Sequence, residues 1–264
     1  MKLDNSSPKS RYNVEALARG LETLSLFSAE RPSLSLSQIV QLLQLNKTTA
    51  YRVLSTLESM GYLERDRATR HYRPGLRVLQ LGFTAIHTLE VRQIARPFLE
   101  KLSQEVGETV SLAALDGFRT IYLDRIRNQA IVGVVLGVGS SLPAHCTALG
   151  KVLLAALPDD ELNLLLAGQE LHAYTPKTLT TKKALVAELH KVCTQGYAID
   201  DEELASALRA AAAPVRDLSR QIVAAVNVTG TTLRITHERL ECEILPALMR
   251  TADQISTALG YFPG

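Results

Sequence analysis

The sequence predicts an α+β chain in two parts. A small head of helices closed by a two-stranded hairpin, a winged helix-turn-helix, precedes a larger body in which helices pack on an antiparallel sheet. Three observations predict this. Residues 34–77 run helix, turn, helix, basic hairpin, and from Thr109 onward the apolar pattern changes from helical spacing to short strand-like runs broken by turn residues. Charge is also divided. Residues 1–77 hold 12 Lys and Arg against 7 Asp and Glu, a net +5, and the remainder holds 17 against 20, a net −3, so the formal +2 conceals a basic head on a mildly acidic body.

At 264 residues and 46% hydrophobic content the chain can fill two cores. Residues 1–13, polar and interrupted by Pro8, read as a flexible arm, 14–75 as the winged head, 76–90 as a linker helix and 91–264 as the body. No apolar run is long enough to span a membrane, and the first residues lack the basic-then-apolar order of an export signal, so a cytoplasmic location is expected. Cys146, Cys193 and Cys242 are odd in number and widely spaced, which argues against a disulfide framework.

In the head, Val14, Leu17, Leu21, Leu24 and Phe27 mark an amphipathic helix that ends before Arg31-Pro32 and is expected to complete the core. Ser35 and Gln38 form an S-x-x-Q capping box, and Leu34 can staple against Ile39, so a second helix should begin at Leu36. Its apolar face is Ile39, Leu42 and Leu43. The period breaks at Leu45-Asn46, and Asn46 caps a third helix in which Ala50, Val53, Leu54 and Leu57 face inward. Lys47, Thr48, Thr49, Tyr51, Arg52, Ser55 and Thr56 are left on its outer surface. Gly61 ends the helix, and residues 62–65 and 70–73 read as strands around a polar turn at 66–69.

Two short amphipathic helices occur in many helical domains, and alone they indicate little. The wing adds Arg65, Arg67, Arg70, Arg73 and Arg77, a density of guanidinium suited to a phosphate backbone. Double-stranded DNA is therefore the expected partner. Thr48, Thr49 and Arg52, on the first turns of the third helix, are the candidates for base edges, and Lys47, Tyr51, Arg65, Arg67 and Arg70 for phosphates.

In the body, Leu76, Leu79, Phe83 and Ile86 place one apolar stripe on a helix from residue 76 to about 87, and a longer helix spans 91–106. Residues 109–115, the turn Asp116-Gly117 and residues 120–124 make a hairpin. Residues 131–138 read as a central strand, with further strands at 196–199 and 221–228. Helices are expected at 148–156, 159–167 and 183–195, and a long one at 240–259.

Taken together, ALARGLETLSLF, NKTTAYRVLSTLESMGYLERD, YRPGLRVLQLG, LPAHCTALGKVLLA, GYAIDDEELASALRAAAAPVRD and AAVNVTG, in that order, resemble the IclR family of bacterial transcriptional regulators along the whole chain. The YRPG, T-A-L-G-K and G-Y-A-x-D-D-E-E pieces resemble the branch controlling aromatic-acid catabolism. The resemblance implies a winged head followed by a GAF-like domain that binds an effector and oligomerises, in a homodimer or a tetramer built from dimers. It implies that a small organic acid lies at Ala148 and Leu149, at Asp200, Leu208 and Ala210, and at Asn227 and Thr229. Two positions depart from the pattern: Ala207 stands where glycine is common, and Ala210 where a polar residue is common.

Other readings remain open on the residues alone. Thr147 and Cys146, before the helix at Ala148, fit an N-cap and a small buried hydrophobe as well as an anion site. His190 and Cys193 lie three apart on a helix with no second ligand pair, so no metal or other cofactor is expected. An enzyme using His145 and Cys146 would need a base in reach of the thiol, and the familiar nucleophile, zinc-protease, dinucleotide and P-loop motifs are absent. A ligand-independent architectural DNA binder would leave the large body without a role.

Overall fold

The computed structural model describes residues 14–28, 31–87, 90–127 and 136–262, with no side-chain description for 83–87. The expected arm at 1–13 and residues 131–135 of the expected strand at 131–138 lie outside the described residues. By contacts the chain divides into two compact units, Met1–Ala85 and Ile86–Gly264.

The first unit contains α1 (Glu15–Ser25), α2 (Leu36–Leu43), α3 (Lys47–Ser59), the wing strands β1 (Leu63–Arg65) and β2 (Tyr72–Pro74), and the start of α4 (Leu76–His87). The capping box at Ser35 and Gln38 forms in both directions, with the Ser35 amide donating to Gln38 Oε1 at 2.8 Å. Asn46 caps α3 by accepting from the Thr49 amide at 2.8 Å. Leu34, Ile39, Leu54, Leu57, Leu63 and Tyr72 form the core, and Leu34 also pairs with Tyr72 through its backbone, tying the head of α2 to the wing. The α3 chain turns at Gly61, whose φ of +76° suits glycine. Gly75 is needed for a different reason: a Cβ there would lie 2.3 Å from the Gly61 carbonyl.

The expected inward stripe of α1 is only partly inward. Leu24 and Phe27 pack on the core, but Val14, Leu17 and Leu21 are more than half exposed. A core this small, closed by α2, α3 and the wing, is filled before the first turns of α1 reach it. Leu17, Leu21 and Leu24 instead line a hollow of about 660 Å³ with Met60 and Leu81.

The second unit is built on a six-stranded, fully antiparallel sheet of order β5-β4-β3-β8-β7-β6. Its strands are β3 (Thr109–Asp116), β4 (Arg119–Ile126), β5 (Ser141–Pro143), β6 (Ala198–Asp201), β7 (Leu208–Arg216) and β8 (Ile222–Thr231). One face packs on α5 (Glu90–Val106) and α10 (Leu245–Ala258) through Val110, Leu112, Val226, Val228, Leu99 and Leu248. The other face carries α6 (Ala148–Ala155), backed by α7 (Asp159–Ala167) and α8 (Lys182–Gln195). Glu108, fully buried, accepts from Arg234 at 2.9 Å and from Arg239 at 2.8 Å, which fixes the chain after β8 to the start of β3.

Three expectations need correction. Gly196 is not in a strand: it caps α8 at φ +80°, and β6 starts at Ala198. The C-terminal helix begins earlier, at α9 (His237–Arg239) with Thr236 as its cap, and passes through a π-helical stretch, Leu240–Ile244, before α10. Pro246 lacks the N–H that a regular ladder would need, so a wider turn precedes it. Finally, β7 was not expected at all. LRAAAAPVR is alanine-rich and holds a proline, both unfavourable to a central strand, yet β6 covers β7 only from Arg209 to Ala212, so Pro214 lies where β7 is an edge.

Candidate functional site

Two sites emerge, one in each unit. In the first, α3 presents Lys47, Thr48, Tyr51 and Arg52 exposed, with Thr49 half-buried because its amide closes the cap. The wing turn is built by Asp66, whose Oδ1 accepts from the Ala68 amide at 2.9 Å and the Thr69 amide at 2.7 Å. The Thr69 amide, and then its hydroxyl, hold the Asp66 carboxyl below its ordinary range. That turn carries Arg67 and Arg70 into solvent. Arg65 is less free: its guanidinium lies 5.2 Å from the Tyr72 ring centroid, and Nε donates to the Arg70 carbonyl at 3.5 Å. Arg73 is paired with Glu64 at 2.9 Å. Of the wing cations, Arg67 and Arg70 are thus the two best placed for an external anion.

The second site lies on the sheet face under α6. Antiparallel register aligns two rows across four strands: Thr109, Thr229, Ala210 and Asp200 in one, Ser111, Asn227, Ala212 and Ala198 in the next. Alternation along each strand puts both rows on the α6 side, where Ala198, Ala210, Ala212, Ala113 and Ala225 pack with Leu149 and Val152. Short alanine side chains let α6 approach the sheet closely. Leu208, half-buried, stands one row further out, opposite Thr231.

Polar groups converge on this alanine floor. Asn227, 4% exposed, donates from Nδ2 to Thr229 Oγ1 at 2.7 Å, while its Oδ1 is buried with no partner among the described residues. Asp200 is 2% exposed and accepts from the Glu203 amide at 2.8 Å through Oδ1. Burial pushes the Asp200 carboxyl up to about 7, outweighing those backbone donors. Burial also lifts the Tyr122 phenol and the Cys146 thiol each to about 12, and the negative Asp200 adds to both shifts.

The roof is the start of α6. Thr147 caps it by accepting from the Gly150 amide at 3.1 Å, and residues 144–147 are all buried. The Ala148 and Leu149 N–H groups, in the first turn, have no acceptor inside the helix. Gly150 permits the approach, since a Cβ would meet the Ala144 carbonyl at 2.1 Å. One turn on, Lys151 is 1% exposed; its Nζ donates to the Ile199 carbonyl and to Glu203 Oε1, the latter at 2.5 Å. Burial raises the Glu203 carboxyl despite that cation. Lys151 therefore joins α6 to the segment that carries Asp200.

Ala148 and Leu149 lie at the start of α6, Asp200, Ala210, Asn227 and Thr229 on the sheet rows beneath it, and Leu208 one row further out. Ser111, Tyr122, Lys151 and Glu203 were missed. Ser111 had a signal, because T-V-S-L-A alternates polar with apolar residues and so marks one face as wet. Lys151 stood alone in an apolar helix, ALGKVLLA, which only a buried partner could make tolerable. The enzyme alternative finds no support here: His145 Nε2 meets the His172 carbonyl at 3.1 Å, its ring stacks on Phe118, and the Cys146 thiol is held protonated.

Comparison with known proteins agrees with this division. Residues 16–67 match the model of the IclR helix-turn-helix domain, and residues 83–257 that of the bacterial transcriptional regulator IclR C-terminal domain. The chain is 33% identical to the HTH-type transcriptional regulator XynR of Escherichia coli over 94% of its own length and 98% of the relative's. It is 34% identical to the Pca regulon regulatory protein of Pseudomonas putida, covering 89% of this chain and 81% of that one. Among solved structures, an IclR homologue from Microbacterium hydrocarbonoxydans complexed with 4-hydroxybenzoate aligns with TM-score 0.77 at 26% identity, over 93% of this chain and 99% of the other.

Proposed function

The chain belongs to the IclR family of bacterial transcriptional regulators, and from that premise we propose that it reads operator DNA as a homodimer under the control of a small aromatic carboxylic acid. Arg52, Thr48 and Thr49 contact base edges; Lys47, Tyr51, Arg65, Arg67 and Arg70 contact phosphates. The effector's carboxylate accepts from the Ala148 and Leu149 N–H groups at the positive end of α6. Its ring lies on the floor made by Ala210 and its alanine neighbours, beside Leu208. A ring hydroxyl donates to Asn227 Oδ1, with Thr229 and Asp200 completing the polar wall.

The observation that carries this reading is the Asn227 carbonyl oxygen, which is buried on the sheet face beneath α6 with no donor among the described residues. A hydroxylated ligand supplies the missing hydrogen. The relationship to a Pca regulon regulator and to a homologue complexed with 4-hydroxybenzoate supports the choice of acid. Pairing of two copies is supported by α4, which exposes Leu76 and Leu79, neighbours one turn apart that a second copy would cover. No helix among the described residues is long and apolar enough to cross a membrane, and we place the protein in the cytoplasm with its DNA.

Calorimetric titration with 4-hydroxybenzoate and benzoate tests the effector reading. Wild type should bind the hydroxylated acid more tightly, and Asn227→Leu should erase that preference, about tenfold for one lost buried hydrogen bond. Failure of either acid to bind, or an equal preference in the variant, refutes it.

A further inference from the structure

A second cavity, of about 670 Å³, opens at the opposite end of α6 from the effector site. The helix rises about 12 Å over its eight residues, so the two spaces are separated by most of its length. Leu115, Val152, Leu153, Val192 and Ile222 give this cavity apolar walls, and Pro214 and Gly196 mark where β6 stops short and leaves β7 open. The hairpin joining β7 to β8 adds two cations, Arg216 and Arg220.

Those arginines are unusually placed. Asp217 organises the hairpin, accepting from the Ser219 amide at 2.9 Å and the Gln221 amide at 3.2 Å, and thus faces its own turn. Arg220 is held at φ +67°. The Arg216 guanidinium donates to the Arg220 carbonyl at 3.2 Å. Among the described residues neither guanidinium has a carboxylate within ion-pair distance, although Glu161 also lines the cavity. The volume falls in the range of small-molecule sites, whose usual form is an apolar cavity with a few convergent polar groups.

We propose that this cavity is a second ligand site, distinct from the effector pocket, for an amphipathic carboxylic acid whose chain or ring lies between α6, α8 and the sheet and whose carboxylate pairs with Arg216 and Arg220. Guanidinium forks match a carboxylate in plane and charge, and apolar walls of this size take a body of several carbons. Glu161, also in the cavity lining, opposes a second negative charge, which favours a monoacid over a diacid.

Cys193 provides a reporter, because this exposed residue lines the cavity, its thiol donating to the Ala155 carbonyl at 3.0 Å, while the exposed Cys242 does not line it. The full-length protein is treated with iodoacetamide in the presence of hexanoate, and the alkylation rate of each cysteine is followed by mass spectrometry. Hexanoate should slow the modification of Cys193 but not of Cys242, and hexanol at the same concentration should not. The Arg216→Gln/Arg220→Gln double variant should need about tenfold more hexanoate for the same protection. Asn227→Leu, altered only in the effector pocket, should be protected like wild type. No protection, equal protection by hexanol, undiminished protection in the double variant, or protection abolished by Asn227→Leu would each overturn the proposal.

Discussion

At the scale of single residues, Ala207 shows what a family's glycine is for. Its φ is +59°, in the left-handed region, and the conformation is enforced from both sides: its amide donates to Glu202 Oε2 at 2.8 Å, and its carbonyl accepts from the Thr232 amide at 2.9 Å. Alanine there costs about 1 to 2 kcal/mol, partly offset by the greater freedom of glycine in the unfolded chain. Ala207→Gly should therefore stabilise the protein by on the order of 0.5 to 1 kcal/mol, seen as a melting temperature higher by about 2 °C. A lower melting temperature would show that the loop is not strained at this position.

Asp200 yields a prediction with a pH signature. Folded, it takes up its proton near pH 7, and unfolded, near 3.8, so between those values the folded chain holds the extra proton. Stability then falls as pH rises through this window, and above 7 the buried carboxylate carries its full penalty. Asn keeps the Oδ1 acceptor for the Glu203 amide without the charge. Asp200→Asn should thus be more stable than wild type at pH 8, by on the order of 2 kcal/mol, with the gap closing toward pH 4. Urea unfolding at pH 5 and pH 8 measures it, and equal stability at both would mean that Asp200 ionises freely.

At the scale of elements, α3 and the wing do different work, and mutation should separate them. Arg52 lies on the exposed side of the reading helix, and Arg67 at the tip of the wing. Arg52→Ala should weaken operator binding by roughly 1 to 3 kcal/mol while sparing random DNA, because a bidentate base contact discriminates between sequences. Arg67→Ala should weaken both and reduce the salt slope by about one unit, the signature of one phosphate contact. Filter binding across a salt series distinguishes them; equal losses for Arg52→Ala on both DNAs, or an unaltered slope for Arg67→Ala, would reverse the assignment.

What the sequence made legible at this scale follows physical lines. Capped helices were readable because Ser35-x-x-Gln38 and Asn46 announce themselves locally, and the β3–β4 hairpin because Asp116-Gly117 does. β7 was not, because its alanines are set by close packing beneath α6, a tertiary reason that overrides strand propensity. The outward stripe of α1 had the right period but not a core to meet. Around the pocket, side chains on matched registers, such as Ser111 opposite Asn227, became neighbours only through strand pairing, which local patterns do not encode.

At the scale of the whole molecule, regulation requires that occupancy of the α6 pocket and occupancy of DNA bias the same equilibrium. Lys151 bonds α6 to Glu203 and Ile199, so α6 and the segment carrying Asp200 are held together. If the ligated arrangement favours one spacing of the paired heads, the acid must change operator affinity, and the operator must change acid affinity by the same factor. Paired titrations check this directly: operator binding at saturating and zero 4-hydroxybenzoate, and calorimetry of 4-hydroxybenzoate with and without operator. Asn227→Leu should lower acid affinity in both calorimetric arms yet leave operator affinity without ligand near wild type, because Asn227 lies on β8 of the second unit and not in the winged unit. Unequal coupling factors would mean that the two ligands act through separate equilibria. Loss of operator binding by the ligand-free variant, with a lower melting temperature, would make Asn227 a structural residue and move the effector elsewhere.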